Sequence, residues 1–219
     1  MPLNDWISEY EKKKALWFHD GNQKRPHALL TSGKHSNGFF NSWPIRENPS
    51  LLGRACFELA IILHQHYGLD PEEDDRVVGL AEGGISMAHE IAYHISTRIG
   101  PSCLLAYVEK QVERGVKSMV FKSTAIRPGE RIILADDVLS TGESVDLAAK
   151  AVIDAGGIVL PFVVVLVNRS GLAEVFDKKI VALIDYPMQT WSPDECPLCR
   201  QGSEAIRPDD NWARLNANY

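Results

Sequence analysis

From residue 76 onward the chain alternates between short β-branched runs and stretches whose apolar residues recur at helical spacing. Residues 77–81 read as a strand, Gly83-Gly84 as a turn, and Ile85, Ala88, Ala92, Ile95 and Ile99 as the stripe of a helix. Residues 103–108 form a second predicted strand and 132–135 a third. The third leads into a helix with Val145, Ala148, Ala149, Val152 and Ile153 on one face, stopped at Gly156-Gly157. Residues 158–167 have the β-branched density of a buried strand, and 180–184 end the series. Such alternation predicts an α/β fold with a mostly parallel sheet flanked by helices. Ligands of such sheets bind beyond the C-terminal ends of the strands.

The N-terminal third is less regular. Residues 3–18 predict an amphipathic helix with Trp6, Ile7, Tyr10 and Trp17 on its apolar side. Residues 19–50 are rich in Gly, Pro, His, Ser and Asn. Asn48-Pro49 is a helix start, a capping side chain followed by proline, and Leu52, Ala55, Leu59, Ile62 and Leu63 continue it. Residues 109–118 are polar and basic with no period.

Composition narrows the class. The chain has 219 residues, is 45% hydrophobic, and carries a net charge of −6. That balance argues against a broad nucleic-acid-binding face. No apolar run approaches the length of a membrane span, and the first residues lack the pattern of a signal peptide. Four scattered cysteines do not make a secreted disulfide framework. The expectation is a cytoplasmic enzyme.

The chemistry concentrates in residues 131–145. A hydrophobic run there ends in Asp136 and Asp137, and a small, hydroxyl-rich turn (Ser140, Thr141, Gly142, Ser144) then opens a helix. A helix start offers free N–H groups and the positive end of a dipole, which suit a phosphate. Carboxylates beside such a cradle suit sugar hydroxyls or a metal. A Walker loop is excluded, because no Gly-Lys-Ser/Thr occurs here. A second turn, Leu80-Ala-Glu-Gly-Gly-Ile85, also links a strand to a helix and could hold an anion.

The segment Leu134-Ala-Asp-Asp-Val-Leu-Ser-Thr-Gly-Glu-Ser144 resembles the phosphoribosyl pyrophosphate signature of type I phosphoribosyltransferases. The resemblance implies that Asp136 and Asp137 hold the ribose hydroxyls, that the turn Ser140, Thr141, Gly142, Glu143 and Ser144 wraps the 5′-phosphate, and that Val138 and Leu139 belong to the substrate-binding segment. It makes Glu82, Gly83 and Gly84 the pyrophosphate loop, where orotate-type members carry an aromatic residue followed by lysine. Thr31-Ser-Gly-Lys-His-Ser-Asn-Gly-Phe-Phe-Asn41 is similar to the base-covering hood of the orotate branch, which implies base contacts for Phe39 and Phe40 and a ligand-facing charge on Lys34. Arg169, after the strand at 158–167, matches the arginine that pairs with the base carboxylate. Residues 109–118 match a mobile loop that closes over the site and neutralises pyrophosphate. Lys110 is retained there, Arg114 and Lys117 are the candidate substitutes for missing cations, and the usual histidine is absent.

The resemblance implies transfer of phosphoribosyl to a nucleobase, with orotate favoured, magnesium as cofactor and a homodimer. Another acceptor base and a non-catalytic regulator that binds phosphoribosyl pyrophosphate are the alternatives. The resemblance covers about residues 27–170, and the chain is expected to be one domain: a hood at about 1–50, a core at about 51–186 and, outside the resemblance, a tail at about 187–219. The tail holds Cys196-Pro-Leu-Cys-Arg-Gln-Gly202, the form of a zinc knuckle. Cys196 and Cys199 supply two of the four ligands that structural zinc needs. Cys56, Cys103, a histidine or a dimer mate would complete the set. A metal-free turn and a redox pair are the other readings.

Overall fold

The computed structural model describes residues 3–72, 75–122 and 124–219. In chain order the elements are α1 (Leu3–Lys12), β1 (Leu16–Phe18), β2 (His27–Leu29), β3 (His35–Ser36), β4 (Gly38–Phe40), α2 (Trp43–Arg46), α3 (Pro49–Tyr67), β5 (Arg76–Leu80) and α4 (Gly83–His94). A π-helical turn (Ile95–Ile99) continues α4. Then come β6 (Leu104–Glu113), β7 (Val116–Val120), β8 (Arg131–Leu139), α5 (Glu143–Asp154), β9 (Ile158–Asn168), β10 (Glu174–Val175) and β11 (Lys178–Asp185). The last elements are β12 (Thr190–Trp191), α6 (Pro197–Arg200), β13 (Ala205–Ile206) and α7 (Pro208–Leu215).

These elements form two compact units. One joins the two ends of the chain, residues 1–44 and 186–219; the other is continuous, residues 45–185. The continuous unit carries a seven-stranded sheet ordered β10-β11-β9-β8-β5-β6-β7. Its five inner strands run parallel, and β10 and β7 are antiparallel edges. Side chains alternate across the sheet. Val78, Leu80, Ile132, Leu134, Val163 and Val165 pack with Val145, Ala148 and Val152 of α5. The buried stripe of α4 (Met87, Ala88, Ile91) lies with α3 on the other side.

Local chemistry sets the boundaries. Asn48 caps α3 as expected: its Oδ1 accepts from the amides of Ser50 and Leu51, at 3.1 and 3.2 Å, and Gly68 ends the helix in the left-handed region. The N-terminal helix is shorter than predicted. It stops at Lys12, Lys14 adopts a φ of 51°, and Trp17 belongs to β1, paired with Phe39 of β4. At the far edge of the sheet, Arg76 Nε and Nη2 donate to Glu130 Oε1 at 3.0 and 2.8 Å, a buried ion pair that ties β5 to the start of β8.

The unit of the chain ends is built from short pieces. β12, β3, β2 and β13 make a four-stranded sheet, and β1 and β4 a two-stranded one. Trp17, Ala28, Leu30, Ile206 and Leu215 form its buried cluster, flanked by Phe39 and Trp212. Trp17 Nε1 donates to the carbonyl of Leu215 at 2.9 Å, which ties β1 to the end of α7.

In the continuous unit α4 meets the sheet backbone to backbone. A methyl on Gly79 would lie 2.5 Å from the carbonyl oxygen of Gly84, and one on Gly84 would collide with the carbonyl of Ala135 in β8. Neither contact can be relieved by turning a side chain. Gly84→Ala is therefore expected to destabilise the protein by about 1–3 kcal/mol, the usual cost of overpacking. Urea denaturation of the variant measures it, and an unchanged midpoint would show that α4 can withdraw freely.

Candidate active site

The strand order reverses at β5. From β5 the chain crosses to β6 on one side, then returns to β8 on the other and continues outward to β9 and β11. The crevice between the C-terminal ends of β5 and β8 is thus the topological switch point, where open α/β sheets bind ligands. The segment after β5 is Ala81-Glu82 and the start of α4; the segment after β8 is Ser140-Thr141-Gly142 and the start of α5.

Asp136 and Asp137 lie within β8, not beyond it. The strand continues four residues past its expected end, because Asp136, Val138 and Leu139 pair with Val165, Val167 and Asn168 of β9. The Asp137 amide donates to Asp136 Oδ1 at 2.9 Å, and the Val138 amide donates to Asp137 Oδ1 at 2.8 Å. Burial raises the Asp136 pKa well above the ordinary carboxylate range, and the neighbouring Asp137 charge adds to the effect. The charges of Lys110 and Arg46 act in the opposite direction.

Arg46 carries no motif and was not singled out in the sequence. Its Nε lies 3.2 Å from Asp137 Oδ2 in an ion pair with both side chains mostly covered. Its Nη1 also reaches the carbonyl of Glu82 at 3.5 Å. One guanidinium thus bridges the carboxylate pair and the glycine turn. A Cβ on Gly83 would run into the Asp137 carboxylate. Gly83 makes room for an acid, and Gly84 for a strand carbonyl. The two glycines, expected to serve a pyrophosphate, therefore have packing duties as well. Glu82 is exposed beside them.

The turn after β8 forms as expected. Gly142, at a φ of 81°, sits at the cap position of α5, and a Cβ there would strike Val175 of β10. Ser140, Thr141 and Ser144 are half-buried around it. Glu143 and Asp146 put negative charge on the first turn of α5. Lys117 Nζ lies 2.9 Å from Glu143 Oε1 and offsets one of them.

Residues 109–118, expected as a mobile loop, are a regular hairpin. β6 and β7 pair antiparallel from Glu109↔Val120 to Glu113↔Val116. Arg114 (φ 50°) and Gly115 (φ 80°) make its tip, the two successive left-handed residues of a tight hairpin turn. β6 pairs with β5 only as far as Val108. The remaining five residues extend about 17 Å past the sheet. Lys110 stands near enough to Asp136 to favour its ionised form. Lys117 reaches Glu143, and Arg114 is exposed at the tip.

Two expected base contacts have interior side chains in this structure. Arg169 follows β9, and its amide donates to the carbonyl of Leu139 at 2.9 Å, but its side chain is only 2% exposed. Burial lowers its pKa to about 10, and the guanidinium is an interior charge in this structure. In the other unit Phe40 is also 2% exposed, edge-on to Tyr10 and Tyr186 at 5.1 and 5.9 Å. It is a core residue with no open face for stacking. Phe39 is half-buried against Trp212, and Lys34 is exposed in the turn between β2 and β3.

Cys196 and Cys199 do not stand alone. Nδ1 or Nε2 of His27 and His35 and the two sulfurs lie within 4.8 Å of one another. Cys56 is buried in α3 and Cys103 precedes β6, so neither joins them. The spacing of the knuckle was visible in the sequence, whereas the two histidines carried no spacing signal.

A sheet with its switch point between a glycine turn and a carboxylate-bearing strand that leads into a phosphate-cradling helix start is the architecture of a phosphoribosyl-transferring enzyme. The family model for the phosphoribosyl transferase domain matches residues 47–197. The orotate phosphoribosyltransferase of Heliobacterium modesticaldum is 33% identical over 182 residues, covering 83% of this chain and 88% of that protein. The chain belongs to the phosphoribosyl transferase family. The orotate phosphoribosyltransferase structure from Aeropyrum pernix superimposes with a TM-score of 0.59 at 22% identity, over 81% of this chain and 92% of that one. The adenine phosphoribosyltransferase structure from Thermoanaerobacter pseudethanolicus gives 0.54 at 21% identity, over 68% and 88%.

Arg46→Met keeps the length of the side chain and removes the charge facing Asp137. It is expected to lower kcat/KM for phosphoribosyl pyrophosphate by about tenfold or more, the scale of a small misplacement in a reacting site. Steady-state kinetics test this, and an unchanged kcat/KM would mean that Asp137 is positioned without Arg46.

Proposed function

We propose that this enzyme transfers the phosphoribosyl group of phosphoribosyl pyrophosphate to a ring nitrogen of orotate, giving orotidine 5′-monophosphate and pyrophosphate. The acceptor is carried by one observation: a curated orotate phosphoribosyltransferase is aligned with 83% of the chain at 33% identity. It does not rest on Arg169 or Phe40, whose side chains are interior. The donor is supported by the switch-point geometry. Asp136 and Asp137 accept from the ribose hydroxyls, and the amides of Ser140 to Ser144 receive the 5′-phosphate at the start of α5. Gly83 and Gly84 let the pyrophosphate approach the backbone.

Breaking the bond from C1 to pyrophosphate leaves positive charge on the ribose ring, as in glycoside cleavage. The two carboxylates stabilise that charge, and Lys110 supports the departing pyrophosphate. Arg114, at the tip of the hairpin, is the second cation available to the leaving group. No side chain acts as a nucleophile, so the protein's work is positioning and exclusion of water. Paired carboxylates are the hard oxygen donors that magnesium takes. Asp136 and Asp137 fit that role, and bound magnesium supplies positive charge to the pyrophosphate.

A second reading has a specific basis. The fold is shared with an adenine phosphoribosyltransferase at nearly the same identity as with an orotate enzyme, so the fold alone does not select the base. The deciding experiment offers phosphoribosyl pyrophosphate, magnesium and single bases, and follows pyrophosphate release. Release with orotate only is expected. Release with uracil, xanthine, hypoxanthine or adenine instead would reassign the acceptor, and binding of phosphoribosyl pyrophosphate without release would make the protein a sensor.

No described helix is long and apolar enough to cross a membrane. None of the four cysteines is in a disulfide, which supports a cytoplasmic setting for the proposed reaction. A homodimer is part of the same proposal. It is supported by Val112 and Val116, which leave two large aliphatic side chains 66% and 67% exposed on the hairpin. Light scattering is expected to give twice the chain mass of 24.4 kDa, and a value equal to that mass would reject the dimer.

A further inference from the structure

We infer that His27, His35, Cys196 and Cys199 form a structural zinc site that clamps the two ends of the chain together. All four residues lie in the unit made of residues 1–44 and 186–219. His27 and His35 come from the facing strands β2 and β3. Cys196 and Cys199 come from the knuckle at the start of α6, with Pro197 at its first helical position and Gly202 at a φ of 92° just after it.

The spacing fits a tetrahedral ion. With Zn–S near 2.3 Å and Zn–N near 2.0–2.1 Å, tetrahedral ligand atoms stand about 3.3 Å apart for two nitrogens and about 3.6 Å apart for nitrogen and sulfur. His27 Nε2 is 3.0 Å from His35 Nδ1, and 3.6 Å from each of the Cys196 and Cys199 sulfurs. The Cys199 sulfur is 3.2 Å from His35 Nδ1. Three of the four ligands are buried, His27 and Cys196 at 0% exposed and His35 at 6%, and Cys199 is half-buried.

A supporting hydrogen bond sets the histidine tautomer. Ser203 Oγ donates to the carbonyl of Arg25 at 2.7 Å, which uses its proton. It must therefore accept from His27 Nδ1–H, 2.8 Å away. That leaves the Nε2 lone pair aimed at the two sulfurs and at His35. A ligating imidazole held through its other nitrogen is the usual arrangement around structural zinc. A closed set of four such ligands suits a structural metal, since catalytic zinc keeps a position open. The clamp would fix the hairpin whose turn carries Lys34 to a segment 169 residues away in sequence.

The test is metal analysis of the full-length protein, purified without chelator under anaerobic conditions from zinc-supplied cells. About one zinc per chain is expected. Cys196→Ser with Cys199→Ser should lower the content at least about tenfold, whereas Cys56→Ser with Cys103→Ser should leave it unchanged. Should the first variant fail to fold, wild-type protein stripped of metal and refilled with Co(II) provides the second readout. Strong visible d–d bands and a thiolate-to-cobalt charge-transfer band are expected. Three results would overturn the inference: reduced wild-type protein that neither carries zinc nor gives those bands, a Cys196–Cys199 disulfide in the isolated protein, or full zinc content in the double serine variant. Metal content is independent of the base screen, so either reading can fail without the other.

Discussion

The active-site crevice depends on one close approach, the start of α4 laid against β5 and β8 with no side chain between them. Gly79, Gly83 and Gly84 create it. Glycine costs a helix up to about 1 kcal/mol in its interior, and less at its first turn, where the backbone is only half committed. In exchange the positive end of α4 comes to the strand that carries Asp137. The carboxylate fills the space that a Gly83 side chain would occupy. Arg46 then spans from that carboxylate to the turn. Remove the approach and the glycine turn separates from the acid pair, leaving two half-sites.

The acid pair is held under electrostatic stress. Adjacent carboxylates repel, and burial of Asp136 adds to the cost. Hydrogen bonds from the next amides and the charges of Lys110 and Arg46 compensate in part. A cationic ligand centre would relieve what remains. This is the physical sense in which the site is prepared for positive charge developing on a ribose ring.

The parallel sheet was legible because its strands are covered on both faces and spell continuous β-branched runs. Asn48-Pro49 announced α3, and Ser140 to Ser144 announced the turn that opens α5. What escaped notice did so for physical reasons. Half of β6 and the first residues of β7 extend past the helix cover, so both faces are largely wet there and no apolar period appears. Asp136 and Asp137 interrupt the apolar run of β8 and hid the strand's true length, although Val138 and Leu139 still pair with β9. Trp17 continued the apolar spacing of α1 although the chain had already turned at Lys14. Arg46 and the two histidines acquire their roles only through partners distant in sequence. Phe40 and Arg169 matched the expected residue types, yet burial decided their roles, and burial is not written in a motif.

The two units also differ in how they can be assembled. Residues 45–185 are continuous, so their sheet can close while the chain is still being made. The other unit needs β13 beside β2 and the Leu215 carbonyl on Trp17, and these partners are made only after residues 45–185. Domains tend to fold from the N-terminus as synthesis proceeds. Here residues 1–44 must wait for a segment that follows the whole continuous unit, with the aromatic residues Trp6, Tyr10 and Trp17 short of their final packing in the meantime.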